Sequence, residues 1–334
     1  MLSAARLLIL LVAASCTLAS HAHHSPVAFD SDAIIRFDGT VTRFDWTNPH
    51  VYIYVQTVDQ YGASVEWQIE SDWTNDLIRA GWSADSLAPG DRVSIQAHPA
   101  RNTRISYANL ISLEKSDGTV LASWDLGERE EASDSARATE IAGRWLGVHG
   151  FPAFFAASSA QVNANGARAQ QAYQETENPG LQCTPHPLPT RLGMPHVSDI
   201  AIYDTHVEIV SESDPEPRII YTDGRDLPSS GESIQHGHSI GHWEEGALVV
   251  LTSMFSINRR GNGFTVPSSA QKRLQERYEL SEDGTQLRVN YILSDPEYLA
   301  GDVQGSFDWT YAPDLDLIPF SCDLEVAGRY LENE

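Results

Sequence analysis

The residues of this chain whose types and spacing suit chemistry lie in two places. Near the start stand His23 and His24, and further on His50. A terminal amine combined with imidazoles is a nitrogen-rich ligand set of the kind that suits Cu(II), with Zn and Ni as competitors. The set requires His23 to open the mature chain, because a preceding residue would turn its amine into an amide. Glu70 is a weaker fourth ligand, since strand alternation reads it as an outward polar residue, and Asp45 shares that weakness. An ordinary reading stands beside this one, in which Pro49 rigidifies a turn and His50 hydrogen-bonds a backbone carbonyl.

The second place holds Tyr221, Asp223, Arg225, His236 and His238. As a catalytic set, His238 would act as acid or base near neutral pH and Asp223 would orient it. Arg225 would bind a carboxylate or a developing negative charge, with Tyr221 beside them. Asp223-Gly224-Arg225 follows the apolar run Ile219 to Tyr221, at a strand end where a barrel has its mouth. Asp-Gly is equally a favoured hairpin pair, in which Arg225 pairs with Asp223 or Asp226 and His238 caps its own loop. His236-Gly237-His238 with His242 offers a further metal reading, but zinc normally takes four ligands in a closed site.

The elements that must position these residues begin after an export signal. A short apolar segment from Leu7 to Ala14 follows Arg6 and runs into Ser20-His21-Ala22, which predicts cleavage after Ala22 and a periplasmic or secreted protein. The alternative is a lipid anchor at Cys16, although Ala13 stands where such a site usually has Leu. No second apolar stretch is long enough to cross a membrane. The formal net charge of -24, from 46 acidic against 22 basic residues, argues against nucleic acid as a partner. After cleavage only Cys183 and Cys322 remain, and an even pair in an exported chain predicts a disulfide.

Period-two alternation, as in Val51, Ile53, Val55 and Val65, Trp67, Ile69, predicts half-buried strands over residues 34–44, 51–58, 65–70, 92–97 and 108–113. One short helix, Thr74 to Ala80, is closed by Gly81. Strand-strand-strand-helix-strand-strand is the element order of a small OB-type barrel. A polar, acidic stretch follows, with Glu128-Arg129-Glu130-Glu131 at its centre. Alternation then returns at Ile141 and continues through about eight strands to Tyr311, which must close or pack on a second sheet to remove their edges. The expected class is therefore all-β: a signal peptide over 1–22, an OB-like barrel over 23–120, an acidic linker over 121–140 and a calycin-like, lipocalin-like antiparallel barrel over 141–334. Phe151 to Arg168 reads as a lid or loop, and Gln170 to Glu177 as one helix. Trp309, Tyr311, Tyr278 and Tyr291 are expected to line a barrel wide enough for an apolar molecule. No phosphate loop, nucleophile elbow or zincin motif is present.

His23-His24-Ser25, Phe29-Asp30, Gly39-Thr40-Val41, Trp46-Thr47-Asn48-Pro49-His50, Asn75, Gly81-Trp82, Asp85-Ser86-Leu87, Pro89-Gly90-Asp91 and Pro99-Ala100-Arg101 together resemble an uncharacterised family of exported bacterial proteins. The second half is similar to a domain often found in such proteins, through Ile220-Tyr221-Thr222-Asp223-Gly224-Arg225, Gly237-His238-Ser239-Ile240-Gly241 and Trp243-Glu244. Gly143-Arg144-Trp145 resembles the Gly-x-Trp opening of lipocalins. The resemblance implies export and a two-part build but no reaction. The expected function is binding of a small apolar ligand, with copper at the N-terminal histidines. An enzyme using His238, Asp223, Arg225 and Tyr221 on an apolar substrate, or an interaction module that turns nothing over, are the alternatives.

Overall fold

The computed structural model describes residues 28–123, 136–147, 161–263 and 265–333. The signal segment, Cys16, His23, His24 and Glu128 to Glu131 lie outside them. The first unit is built from β1 (Ile35–Asp45), β2 (Tyr52–Val58), β3 (Ser64–Glu70), helix α1 (Thr74–Arg79), β4 (Arg92–Pro99), β5 (Tyr107–Lys115) and β6 (Val120–Ala122). The sheet runs β3-β2-β1-β4-β5-β6, and a parallel pairing of β3 with β5 closes the first five strands into a barrel. Alternation places Val41, Ile53, Val55, Ile69, Val93, Ile95 and Leu113 inside, as the half-buried pattern requires. β6 extends β5 and carries this unit to Ala122.

The second unit comprises β7 (Gly143–Gly147), β8 (Val197–Ile202), β9 (His206–Ser211), β10 (Asp214–Tyr221), β11 (His238–Glu244), β12 (Ala247–Ser253), β13 (Arg273–Leu280), β14 (Gln286–Ser294) and β15 (Val303–Tyr311). They close in the order β10-β11-β12-β13-β14-β15-β7-β8-β9. Neighbours are antiparallel except β10 and β11, which run parallel across Ile220↔Ser239 and Tyr221↔Ile240. The barrel thus has nine strands rather than about eight, because β8 and β11 lack a clear apolar alternation. The inward positions of β11 are Ser239 and Gly241, and a Cβ on Gly241 would lie 2.9 Å from Ile220 Cγ2. Only a glycine lets β10 approach there.

Within the stretch read as lid or loop, a helix forms over Ala164–Gln171, where Asn163 Oδ1 accepts the Asn165 and Gly166 N–H groups as an N-cap. It begins before the helix expected over Gln170 to Glu177, where only a 3-10 turn, Glu175–Glu177, is seen.

Helix α1 joins the two barrels. Arg79 is buried and pairs with Glu212 of the second unit, and it also donates to the Asp316 carbonyl at 3.1 Å. Asn75 Nδ2 donates to the Ile318 carbonyl at 2.6 Å. Beside them the Trp73 ring packs on His196 and Phe320 at 4.4 and 5.2 Å. The C-terminal segment therefore runs as a strap over the first barrel. It bridges Cys322 to Asn48, places Val326 against Phe29, Tyr52 and Tyr107, and pairs Arg329 with Asp45 at 2.5 Å. The expected disulfide, Cys183–Cys322, fastens this strap to the second unit.

Candidate functional site

In a closed barrel the inward-facing stripe of each strand is covered by the core until the strand outruns it. Ile202 follows the inward Ser198 and Ile200 on β8, Trp243 follows Ser239 and Gly241 on β11, and Leu280 follows Glu276 and Tyr278 on β13. All three emerge at the end of the barrel where β7 begins. A two-residue turn at Glu245 and Gly246, with φ of 51° and 86°, holds Trp243 there; positive φ at both positions is what a hairpin of this type requires. Segment 138–141 crosses the same end. Ala138 and Ile141 are buried in the core, Ala138 N–H donates to the Gly284 carbonyl at 2.8 Å, and the Ile141 carbonyl accepts from Trp145 Nε1 at 2.9 Å.

Between this cap and the turns lies a cleft of about 400 Å³, lined by Thr139, Glu140, Ile141, Ile202, Trp243, Gly246 and Leu280. Its volume is within the range of small-molecule sites. Trp243 is 44% exposed and Ile202 37%, so two large apolar side chains stand in solvent over one concavity. Such clustering differs from the scattered apolar exposure that is ordinary on protein surfaces.

Below the mouth the barrel is filled. Tyr278, Tyr291 and Trp309 belong to the core and Tyr311 packs against it; Tyr291 stacks on Phe307 at 5.3 Å. The residual interior cavity, lined by Arg191, Arg218, Ser198, Ser211 and Trp309 among others, measures about 10 Å³, room for one water. The aromatic residues expected to line a wide interior are thus packed into the core, and none of them lines the cleft.

Tyr221, Asp223 and Arg225 come together at the same end of the barrel but on its outer wall, since Ile220 is the inward residue of the pair. Arg225 Nε and Nη2 donate to the two Asp223 carboxylate oxygens at 2.9 and 2.6 Å, and the guanidinium lies 3.6 Å above the Tyr221 ring. The hydrogen bonds from Arg225 hold the Asp223 carboxyl below its usual range. His238 opens β11, and its Nε2 is 2.9 Å from the Glu232 carbonyl. His236 Nε2 contacts Asp214 at 3.0 Å, and burial pushes its imidazole pKa down despite that carboxylate. None of these residues lines the cleft.

One buried charged cluster escaped the sequence reading, and a second joins His50 and Glu70, whose burial together was not foreseen. Arg218 Nη1 donates to Glu276 Oε1 at 2.7 Å and to the Tyr278 hydroxyl at 3.2 Å, and its Nη2 donates to Thr252 Oγ1 at 2.9 Å. Their signal was register: Glu276 falls in phase with Leu274 and Tyr278, and Arg218 with Ile220. The second cluster surrounds His50 in the first barrel. Glu70 alternates outward from the core residue Ile69 as expected, yet it is buried; it accepts hydrogen bonds from Tyr52 and Tyr107, and its Oε1 lies 3.3 Å from His50 Nδ1. Burial raises the Glu70 carboxyl pKa, with His50 and the two hydroxyls working against it. Alternation failed to show the burial because the outer face of β3 is covered at this point by the cluster of Phe29, Tyr52, Tyr107 and Val326. Asn48 of the same Trp-x-Asn-Pro-His segment is structural: its Oδ1 accepts the Thr74 N–H at the start of α1 at 2.9 Å. Among the described residues no group of three or more His, Cys, Asp or Glu is arranged to hold a metal ion, and no helix is long and apolar enough to cross a membrane.

Residues 11–107 match the model of a family of unknown function (DUF6152). The match spans the first barrel to the first residue of β5 and includes Trp46 to His50, in agreement with the resemblance to an uncharacterised domain followed by a second one. A search of curated proteins found no match.

Proposed function

We propose that the protein is exported to the periplasm or beyond and binds a small, mostly apolar molecule at the mouth of its second barrel. The observation that carries this reading is the cleft of about 400 Å³ roofed by half-exposed Trp243 and Ile202. The Cys183–Cys322 disulfide supports an oxidising address. The test is titration with N-phenyl-1-naphthylamine, a neutral apolar fluorophore. The chain should bind it with one-to-one stoichiometry, and Trp243→Ala should weaken binding about tenfold or more, because burying such a side chain contributes roughly 1.5–3 kcal/mol. Unchanged affinity in Trp243→Ala, with the fold intact by circular dichroism, would reject the mouth as the site.

A second reading, Cu(II) binding in the first barrel, is favoured by the His50–Glu70 contact. A metal-bound imidazole usually donates its other ring N–H to a carboxylate or carbonyl, and His50 Nδ1 faces both Glu70 Oε1 and the Ser71 carbonyl, at 3.3 and 3.2 Å. Its Nε2 would then be the ligand atom, joined by the amine and ring of His23 in a mature chain beginning there, with His24 as substitute. Competition titration against a chelator should show weaker Cu(II) binding when one residue precedes His23 and in His50→Ala. Equal affinity in all three forms would reject the site.

A further inference from the structure

We propose that the molecule received at this mouth is a cation with an apolar body, an alkyl- or arylammonium ion; the inference rests on the reading of the mouth as an apolar binding site. Among the described residues, the one ionisable side chain lining the cleft is Glu140, which is exposed and forms no ion pair with another of them. Glu245 stands next to the lining residue Gly246 and is also exposed. The arginine that follows β10 at this end, Arg225, has both carboxylate oxygens of Asp223 and the face of Tyr221 already engaged. Arg277 is likewise held by Glu244 and Glu279. Arg137, which precedes the segment that caps the cleft, donates to the Ala136 carbonyl and acts on the Asp283 carboxylate, so among the described residues an anionic head group would meet carboxylates and cations that are already engaged.

The apolar lining points the same way. An indole is the strongest cation–π partner among side chains, and Trp243 offers a half-exposed ring in the lining that it shares with Glu140. Ile141, Ile202 and Leu280 complete the lining with aliphatic surface, suited to a hydrocarbon body. The net charge of -24 adds a field that concentrates cations around the molecule.

Isothermal titration of the full chain with three ten-carbon probes below their micellar concentrations separates the alternatives: decyltrimethylammonium, 1-decanol and decanoate. Decyltrimethylammonium should bind about tenfold tighter than 1-decanol, and decanoate weakest, as an exposed cation–π contact and one carboxylate together imply. Glu140→Gln should weaken the cation about fivefold and leave 1-decanol unmoved. Trp243→Leu should abolish the preference for the cation while retaining part of the affinity for the alcohol. Arg225→Ala should change none of the three. Equal affinity for cation and alcohol, or a Glu140→Gln variant that binds the cation as well as the parent, would overturn the head-group assignment and leave the apolar site standing. Tightest binding of decanoate, lost in Arg225→Ala, would overturn it in favour of an anionic ligand. Failure of all three probes to bind would remove the apolar reading itself.

Discussion

Glu276→Gln should destabilise the second barrel by about 3–5 kcal/mol, the range expected when one partner of a buried ion pair is removed and the other charge stays behind. Arg218 and Glu276 are each about 1% exposed, and Arg218 lies in the core of the closed barrel with hydroxyls from Tyr278 and Thr252 on its other donors. Burial alone would lower the guanidinium pKa, yet Glu276 and Tyr278 hold it above its ordinary value. Losing the carboxylate leaves a cation with no solvent to turn to. Urea unfolding followed by tryptophan fluorescence would read the effect in the midpoint of the second-barrel transition. The double variant Arg218→Met with Glu276→Leu should recover most of the loss, because an apolar pair of similar volume avoids the desolvation cost. A single variant within about 1 kcal/mol of the parent would show that water reaches the pair.

The second large effect is expected from the disulfide. Cys183 and Cys322 are separated by 139 residues, and closing a loop of that length stabilises by about 5 kcal/mol in the chain-entropy model, an upper figure where the unfolded chain keeps structure. Replacing both cysteines by serine should therefore lower the unfolding midpoint more than most core truncations would. It should also loosen the strap, since Cys322 is the point at which the C-terminal segment bridges Asn48 and is tied to the second unit. Hydrogen exchange is the discriminating measurement. Backbone amides of Ile318, Phe320 and Asp323, which bond to Glu212 and Asn48, should lose protection before those of β12 to β15. If the double serine variant unfolds like the parent and keeps these amides protected, the strap is held by Arg79, Asn75 and Arg329 without help from the covalent tie.

Much of the architecture was legible because strand alternation is a local property. The element order of the first barrel, the return of strand patterning at Ile141 and the pairing of two remaining cysteines all follow from residues read in sequence. β11 was not legible, because its inward side is Ser239 and Gly241, chosen for the closeness of Ile220 and not for hydrophobicity. The buried charges were missed for a related reason. Glu276 and Arg218 are charged residue types in inward register, and only the partner strand shows that they neutralise each other.

The candidate site divides in the same way. By itself the sequence determined that Asp223-Gly224-Arg225 is a turn at a strand end, that Trp-x-Asn-Pro-His opens a strand, and that the chain is two β units with an acidic surface, since each depends on spacing and residue type within one segment. Only the tertiary structure decided that Arg225 is consumed by Asp223, that Glu70 is buried against His50, and that Ile202, Trp243 and Leu280 meet over segment 138–141. Those three residues stand on three separate strands, and no local pattern records where an inward stripe outruns its core. Closure of the barrel sets that point, because the register between strands fixes which side chain of each is the last to be covered.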